Sequence, residues 1–193
     1  MNDLDFLIIR KIRSGDRAAF GELVRRHQPK AMTLALRMLK SREDAEEALQ
    51  DAFLRVFRSL DSFAGTSNFS TWFYRIVYNV CASALEKRGT AIFSSLDDEE
   101  EKLPALHYSS TNSSPEEIYD DRETESIIHK EIERLPVEYA SVLTLFFVQQ
   151  LRYDEITSVT GMPIGTVKTR LFRGRIMLRE ALKSSYNFQS IQP

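Results

Sequence analysis

The sequence is poor in the residues that build disulfide-rich and metal-binding proteins. Its 193 residues include one cysteine, Cys81, so neither a disulfide framework nor a cysteine zinc site can form. The three histidines lie far apart and show no metal-binding spacing. We therefore expect no metal and no other cofactor.

Long apolar runs and catalytic motifs are missing as well. The apolar run Phe6–Ile9 is shorter than the core of a signal peptide, and no run approaches the roughly 18 apolar residues that cross a bilayer. The sequence also lacks a glycine-rich phosphate loop, a nucleophile elbow and a pair of acids in a setting expected to be buried. We expect a soluble, cytoplasmic protein that is not an enzyme.

A charge excess of one sign is absent overall but present locally. The formal net charge is -2, yet residues 1–88 carry +4, residues 89–126 carry -9 and residues 127–193 carry +3. The acidic segment contains the run Asp97–Glu101, two prolines and a serine-rich cluster, a composition typical of a flexible linker. The charges predict two basic blocks joined by an acidic linker and followed by a polar tail at 184–193.

Helical periodicity covers both basic blocks. Ser41 can cap the clearest helix, with Asp44 at the reciprocal position, and apolar residues then recur in steps of three and four up to Leu60. A turn-rich loop follows at 61–70, and Ser70 or Thr71 is expected to cap a helix that ends near residue 88. The pattern predicts an all-α fold with two small helical domains, at residues 1–88 and 127–183.

The helix that follows Ser41 has an acidic outer face. The residues of this face are Glu43, Glu46, Glu47, Gln50 and Asp51. An acidic helix face is commonly only solvated, but it can also dock a basic partner surface. The sequence pattern alone leaves both interpretations open.

The helix after the loop concentrates aromatic side chains beside amide and basic groups. Trp72, Phe73, Tyr74 and Tyr78 lie within seven residues and are followed by Asn79, Lys87 and Arg88. This combination suits unstacked bases, but Trp72 and Phe73 also lie on the apolar stripe and fit a core. Tyr74 and Tyr78 lie off that stripe, so we expect exposed rings there, whereas Cys81 lies on it and is expected to be a core thiol.

Residues 153–182 show the pattern of a helix-turn-helix. A short helix at 153–160, a tight turn at 161–163 and a longer helix to about residue 183 follow one another. Residues 168–183 carry a net charge of +5. Val167, Leu171, Ile176 and Leu178 are expected to face inward. Such a helix can enter a DNA major groove, although a solvated basic helix in a small bundle is the alternative.

Five segments, in this order, resemble the extracytoplasmic function group of bacterial sigma factors. They are AFGELVRRH (19–27), SREDAEEALQDAFLRVFRSLDSF (41–63), NFSTWFYRIVYN (68–79), LPVEYASVLTL (135–145) and YDEITSVTGMPIGTVKTRLFRGRIML (153–178). The resemblance covers about residues 6–88 and 127–183. It implies a sigma domain 2 that binds core RNA polymerase and helps open the promoter minus-ten element, and a sigma domain 4 that reads the minus-thirty-five element as duplex.

The resemblance also implies roles for individual residues. Contact with the minus-ten element and its single-stranded non-template strand is implied for Phe63, Ser67, Asn68, Phe69, Thr71, Trp72, Tyr74, Arg75, Asn79, Ser83, Lys87 and Arg88. Contact with the minus-thirty-five element is implied for Thr166, Lys168, Thr169, Arg170, Phe172, Arg173 and Arg175. Docking on the coiled coil of the polymerase β′ subunit is implied for Glu43, Glu46, Glu47, Gln50 and Asp51. The flap of the β subunit is implied to bind the apolar surface of domain 4.

Two positions depart from the family pattern, and two other function classes remain alternatives. Ser83 replaces a common Asp, and Gly174 replaces a usual Ala.

The resemblance implies a monomer outside its complexes and an anti-sigma factor that can hold it at the inner membrane face. A conventional helix-turn-helix regulator would need a ligand pocket or a phosphoacceptor in its N-terminal block. A DNA-processing enzyme would need a nucleophile among arginines, or metal carboxylates.

Overall fold

The computed structural model of the protein describes residues 3–89 and 122–186 and is helical throughout, without strands in these ranges. The α-helices are α1 (Asp3–Arg13), α2 (Ala19–Leu39), α3 (Arg42–Ser59), α4 (Phe69–Lys87), α5 (Arg122–Arg134), α6 (Val137–Leu143), α7 (Tyr153–Thr160) and α8 (Ile164–Tyr186). A 3-10 turn, Leu60–Ser62, follows α3, and a π-helical segment, Thr144–Val148, follows α6. The all-α prediction is confirmed, while most of the predicted acidic linker and tail lie outside the described residues. Within the two described ranges, no helix has the length and apolar character to cross a membrane.

Helix α2 is the centre of the N-terminal half, because α1, α3 and α4 all pack against it. Leu34 and Met38 of α2 are fully buried. Asp5 of α1 is also buried and pairs with Arg26 at 2.9 Å and His27 at 3.1 Å, which ties α1 to α2. These four helices therefore form one packed unit.

The two helix starts predicted in this half have different outcomes. The Ser41 hydroxyl accepts a hydrogen bond from the Asp44 amide at 3.3 Å, so the cap of α3 is confirmed. The cap expected at Ser70 or Thr71 is wrong, because α4 begins at Phe69 and both residues lie inside its first turn. Phe69 is buried at that point, and the Thr71 hydroxyl donates to Glu155 at 3.0 Å instead of capping the helix.

Helix α8 organises the C-terminal half by packing against α5, α6 and α7. Gly174 lets α8 approach α6 closely, since a Cβ atom there would lie 3.1 Å from Leu143 Cδ1. Ile176 is 44 % exposed, so the inward orientation expected for it is wrong. The packed side of α8 runs through Leu171, Gly174 and Leu178, and Ile176 lies away from it. Helix α5 begins at Arg122, before the domain start predicted at residue 127.

The two halves pack against each other. Helix α4 lies against α7, and α2 lies against α6 and the π-helical segment. Arg37 of α2 donates a buried hydrogen bond of 2.8 Å to the Thr144 hydroxyl. The buried side chains of both halves belong to one core. This contact, which the sequence did not indicate, determines which candidate site residues are accessible.

Candidate nucleic-acid interface

The helix-turn-helix of α7 and α8 is held by its turn. Gly161 has a φ of +74°, a left-handed conformation that disfavours other residues, and its amide donates to the Thr157 carbonyl at 2.9 Å. Met162 is buried and belongs to the same hydrophobic core as Ile156 of α7 and Val167 of α8. The turn therefore fixes the direction of α8, and the helix-turn-helix prediction is confirmed.

The first turns of α8 present the predicted minus-thirty-five residues to different degrees. Lys168 is exposed, and Thr166, Thr169, Phe172 and Arg173 are half-buried. This side of the helix offers an ammonium group, a guanidinium group, two hydroxyls and an aromatic ring, which are suitable groups for phosphates and base edges.

Arg170 and Arg175 are placed differently from their neighbours on α8. Arg170 is only 4 % exposed, and its Nε and Nη1 atoms have no hydrogen-bond partner among the described residues. The exposed Arg175 guanidinium lies 4.9 Å from the ring centre of Phe146 and 5.6 Å from that of Phe147, a cation–π arrangement. These phenylalanines of the π-helical segment thus orient one of the cations of the basic helix.

Helix α4 carries an exposed polar ridge. Arg75, Asn79, Ser83 and Lys87 are all exposed and follow one another at intervals of four residues. Side chains at this interval lie on the same face of a helix. Four of the predicted minus-ten residues therefore form one accessible surface, which we call the α4 ridge.

Tyr74 and Tyr78 contradict the expectation of exposed rings. They are 2 % and 1 % exposed. Burial raises the pKa of both phenols; the Asp5 carboxylate raises that of Tyr74 further, whereas the Arg170 guanidinium opposes the rise for Tyr78. The apolar stripe predicts one buried face of α4, but α4 also packs against α7, and this second buried face includes Thr71.

The loop before α4 is closed by an aromatic cluster and an arginine. Phe63 lies 5.0 Å from Trp72 and 5.8 Å from Phe69 between ring centres. Trp72 and Asn68 are half-buried, and Ser67 is exposed. The Arg13 guanidinium donates to the carbonyls of Leu60 at 2.8 Å and Phe63 at 2.6 Å, which anchors the loop. This role could not be predicted from the sequence, because Arg13 lies 47 to 50 positions before the residues whose carbonyls it binds.

Arg88, another predicted minus-ten residue, connects two helices of the N-terminal half. It forms an ion pair with Asp44 in the first turn of α3. The hydrogen bond from Ser41 and the pairing with Arg88 lower the pKa of Asp44. The arginine is 43 % exposed, so it keeps an accessible edge while it holds the end of α4 against the start of α3.

The predicted polymerase-binding residues form one accessible face of α3. Glu43, Glu46, Glu47 and Gln50 are exposed, and Asp51 is half-buried. Arg42 pairs with Glu46 at 2.9 Å and Arg55 with Asp51 at 2.8 Å, each four residues apart. In the described ranges these acids form no metal-binding group.

An apolar groove between α2 and α3 adjoins this acidic face. It is lined by Phe20 and Phe57, whose ring centres are 5.0 Å apart, and by Glu46 and Gln50 of the acidic face. Leu54 and Phe57 are 54 % and 41 % exposed. The sequence prediction missed the groove, although the position of Leu54 off the apolar stripe and beside the acidic face was a signal for it.

The fold and these surfaces define a helical DNA-binding protein with a helix-turn-helix in its second half. Family descriptions agree: Sigma-70 region 2 matches residues 23–90, and Sigma-70 region 4 matches residues 125–178. The chain belongs to the extracytoplasmic function group of the sigma-70 family, the sigma factors that direct transcription.

Curated relatives of similar length support this assignment. The chain is 33 % identical to the RNA polymerase sigma-H factor of Pseudomonas aeruginosa over 181 residues, 93 % of this chain and 94 % of that protein. It is 35 % identical to the sigma-E factor of Escherichia coli K12 over 173 residues, 89 % of this chain and 90 % of that protein. It is 34 % identical to SigW of Bacillus subtilis over 179 residues, 91 % of this chain and 95 % of that protein.

Solved structures share the fold. The sigma factor RpoE of Bartonella quintana, solved with the anti-sigma factor NepR, is 23 % identical with a TM-score of 0.60, covering 86 % of this chain and 98 % of that one. CnrH, solved with the cytosolic domain of CnrY, is 20 % identical with a TM-score of 0.59, covering 93 % and 97 %.

Proposed function

We propose that this sigma factor binds core RNA polymerase and directs it to promoters by contacting their minus-ten and minus-thirty-five elements. The observation that carries the proposal is the presence in one chain of a helix-turn-helix and of the α4 ridge, each within a matched sigma region. Neither half has a large charge excess, so we expect weak DNA binding until polymerase holds both halves on one promoter.

The minus-thirty-five element is proposed to bind the first turns of α8. Lys168 and Arg173 would contact base edges or phosphates, with Thr166, Thr169 and Phe172 beside them. Cationic and hydroxyl side chains on one helix face suit the major groove, where base pairs are distinguishable. Arg170 and Arg175 would bind phosphates, Arg170 only after it leaves its buried position.

The minus-ten strand is proposed to bind along the α4 ridge and the loop before it. Arg75 and Lys87 would hold phosphates, while Asn79 and Ser83 would read base edges. The aromatic cluster of Phe63, Phe69 and Trp72 would offer a surface for an unstacked base, which helps melting because a captured base cannot pair again.

Core polymerase is proposed to dock on the acidic face of α3, through the coiled coil of its β′ subunit. The neighbouring groove adds the exposed apolar surface of Leu54 and Phe57. An apolar centre rimmed by charge is the usual composition of a specific protein interface. The flap of the β subunit would bind the apolar surface of the C-terminal half.

An anti-sigma factor is proposed to regulate the chain. One structure with this fold was solved with the anti-sigma factor NepR, and another was solved with the cytosolic domain of CnrY. We further propose a cytoplasmic protein that is a monomer outside its complexes and can be held at the inner membrane face by its anti-sigma factor.

Run-off transcription with purified core polymerase tests the proposal. The chain should start transcripts on a genomic promoter library from sites that core polymerase ignores. Arg173→Ala should weaken use of those promoters by about 1–3 kcal/mol if Arg173 contacts a base edge. Lys183→Ala, the loss of a cation far along the same helix, is the matched control. Absence of any new start site would refute the proposed function, and an unchanged Arg173→Ala preference would remove that residue from the site.

A further inference from the structure

The π-helical segment after α6 departs from ordinary helix geometry. The Gln149 amide donates to the Thr144 carbonyl, five positions before it, at 3.1 Å. The Leu151 amide donates to the Leu145 carbonyl, six positions before it, at 3.0 Å. Gln150, between these two donors, has a φ of +56°. Because π-helical turns are rare and are often found at functional sites, the side chains that this segment presents need a functional explanation.

Phe146 and Phe147 of this segment both contact Arg175 of α8. The guanidinium carbon lies 4.9 Å from the ring centre of Phe146 and 5.6 Å from that of Phe147. The two rings meet edge to face with 5.0 Å between their centres, and the Tyr153 ring centre lies 5.5 Å from that of Phe146. The two phenylalanines thus pack against each other and together contact one cation. We call Phe146 and Phe147 the aromatic support.

The Arg175 guanidinium keeps its charge and its hydrogen-bond donors available. Arg175 is exposed, and within the described ranges it has no hydrogen bond and no ion pair. A carboxylate partner would occupy some of its donors and would offset its charge. The face of an aromatic ring attracts the cation without accepting those hydrogen bonds, so the planar fork of donors stays free for a phosphate. The aromatic support therefore orients Arg175 without neutralising it.

Arg175 shares one side of α8 with two other cations. Lys168 precedes it by seven residues and Arg179 follows it by four, and all three side chains are exposed. Side chains at these intervals lie on the same side of a helix. Such a row of cations suits the DNA backbone, whose phosphates recur at regular intervals along each strand. Phosphate contacts fix the position of a protein on the duplex but do not read its sequence.

Holding Arg175 in place before DNA binds should strengthen binding. A long side chain that binds a phosphate loses rotamer freedom, and this loss weakens binding by about two- to tenfold for each side chain. An arginine that is already stacked on rings has lost part of this freedom in the free chain. The aromatic support can therefore raise DNA affinity without contacting DNA.

We propose that Phe146 and Phe147 are positioning residues for the DNA backbone: they hold Arg175, with its charge and donors free, where it binds a phosphate of the minus-thirty-five duplex. This role rests on the proposed function, since it requires that α8 binds DNA. The rings act only through Arg175, so they should raise affinity for every duplex sequence and leave the base preference unchanged.

Anisotropy of the full-length chain with a mixed-sequence DNA duplex at low ionic strength tests this role. Phe146→Leu removes the ring but keeps an apolar side chain, and it should weaken binding about two- to tenfold. The same substitution should have no effect in an Arg175→Gln chain. It should keep its full effect in an Arg179→Gln chain, the matched control, because Arg179 has no ring contact in the described ranges. Equal effects in the two backgrounds, or tighter binding by Phe146→Leu, would overturn the role.

The salt dependence of binding tests the phosphate contact itself. Arg175→Gln should reduce the slope of log affinity against log salt concentration by about 0.9, because one counterion fewer is released from the duplex. Phe146→Leu should keep the slope of the unchanged chain, since the cation remains. A slope for Arg175→Gln equal to that of the unchanged chain would refute the phosphate contact.

Ring fluorination separates the cation–π contact from packing. Fluorine atoms withdraw electrons from the face of a ring and nearly preserve its shape, so they weaken its attraction for a cation. Replacing Phe146 with phenylalanines that carry successively more fluorine atoms should lower DNA affinity stepwise, and should have no effect in the Arg175→Gln chain. An affinity independent of fluorination would reduce the rings to packing and overturn the role, even where Phe146→Leu fails to fold. Circular dichroism checks the helices of each variant.

Transcription with core polymerase separates failure of this role from failure of the proposed function. A chain that starts transcripts but whose duplex affinity ignores fluorination would retain the function and lose the role of the rings. A chain that shows the fluorination effect but starts no transcript would retain the positioned phosphate contact and lose the sigma function. If Phe146→Leu lowers transcription but not duplex affinity, the rings serve a polymerase surface and the role is refuted. A chain that binds no duplex even at low ionic strength would also refute it.

Discussion

At the scale of single residues, burial determines the chemistry of Cys81. The thiol is fully buried in α4, and burial raises its pKa to about 12. We expect slow reaction with a disulfide reagent at pH 8 in the native chain and fast reaction in denaturant, because the thiolate is the nucleophile.

The same pKa makes stability depend on alkaline pH. The folded pKa lies above the ordinary value of 9, so the contribution of the thiol is complete below pH 9 and is lost as pH rises from 9 towards 12. The loss is about 1.4 kcal/mol for each pH unit in that window. Urea unfolding at pH 8 and pH 10 measures it, with Cys81→Ala as the reference that lacks this dependence. In the labelling experiment, a fast reaction of the Cys81 thiol in the native chain at pH 8 would contradict its burial.

The surroundings of a residue could be predicted from the sequence where they are formed by residues a few positions away in the chain. Ser41 caps α3 through the amide of Asp44, three positions away, and the sequence contains both partners. Tyr78 lies beside Arg170, and Thr71 bonds Glu155, 84 positions further along. Periodicity within one helix contains no information about such a partner, so the burial of these side chains could not be predicted.

At the scale of elements, Gly174 sets the distance between α6 and α8. A Cβ atom there would meet Leu143 Cδ1 at 3.1 Å and Tyr139 Cβ at 3.4 Å. Gly174→Val should therefore lower the free energy of unfolding by about 1–3 kcal/mol through overpacking. Gly174→Ala should change it by less than about 1 kcal/mol, since the gain in helix propensity offsets a smaller clash with the flexible Leu143 side chain. Urea denaturation compares the two, and an equal stability for both variants would contradict the close approach.

Elements with strong local signals were predicted with their order and type. The turn at Gly161 has a conformation that glycine favours, and α7 and α8 begin and end beside it as predicted. The start of α4 was predicted incorrectly because it depends on the burial of Phe69 among Phe63, Trp72 and Phe73, which is a tertiary effect. The groove between α2 and α3 was missed for the same reason, since two helices form it together.

At the scale of the whole molecule, the contact between the halves should couple their unfolding. We expect calorimetry of the chain to show one transition with equal calorimetric and van't Hoff enthalpies, because α2 and α4 share a core with α6 and α7. Arg37→Ala should divide it into two transitions, while Lys11→Ala should not. Two transitions in the unchanged chain would contradict the coupling.

The arrangement of the halves was beyond sequence prediction for a physical reason. The charge pattern and the helical periods identified two helical blocks, and the order of the motifs identified the sigma-factor family. The orientation of the blocks depends on side-chain pairs such as Arg37–Thr144, separated by 107 positions. Such pairs do not produce a periodic pattern.

The buried Arg170 side chain, whose Nε and Nη1 atoms have no hydrogen-bond partner among the described residues, has a consequence for any attempt to engineer this protein. A screen for heat resistance would favour an apolar residue at position 170, since that replacement removes the two buried donors that lack a partner in the described part of the chain. If Arg170 binds promoter phosphates as proposed, the variants recovered from such a screen would be more stable but would start transcription less efficiently. Selection for activity in the cell would therefore preserve a residue that selection for durability alone would discard.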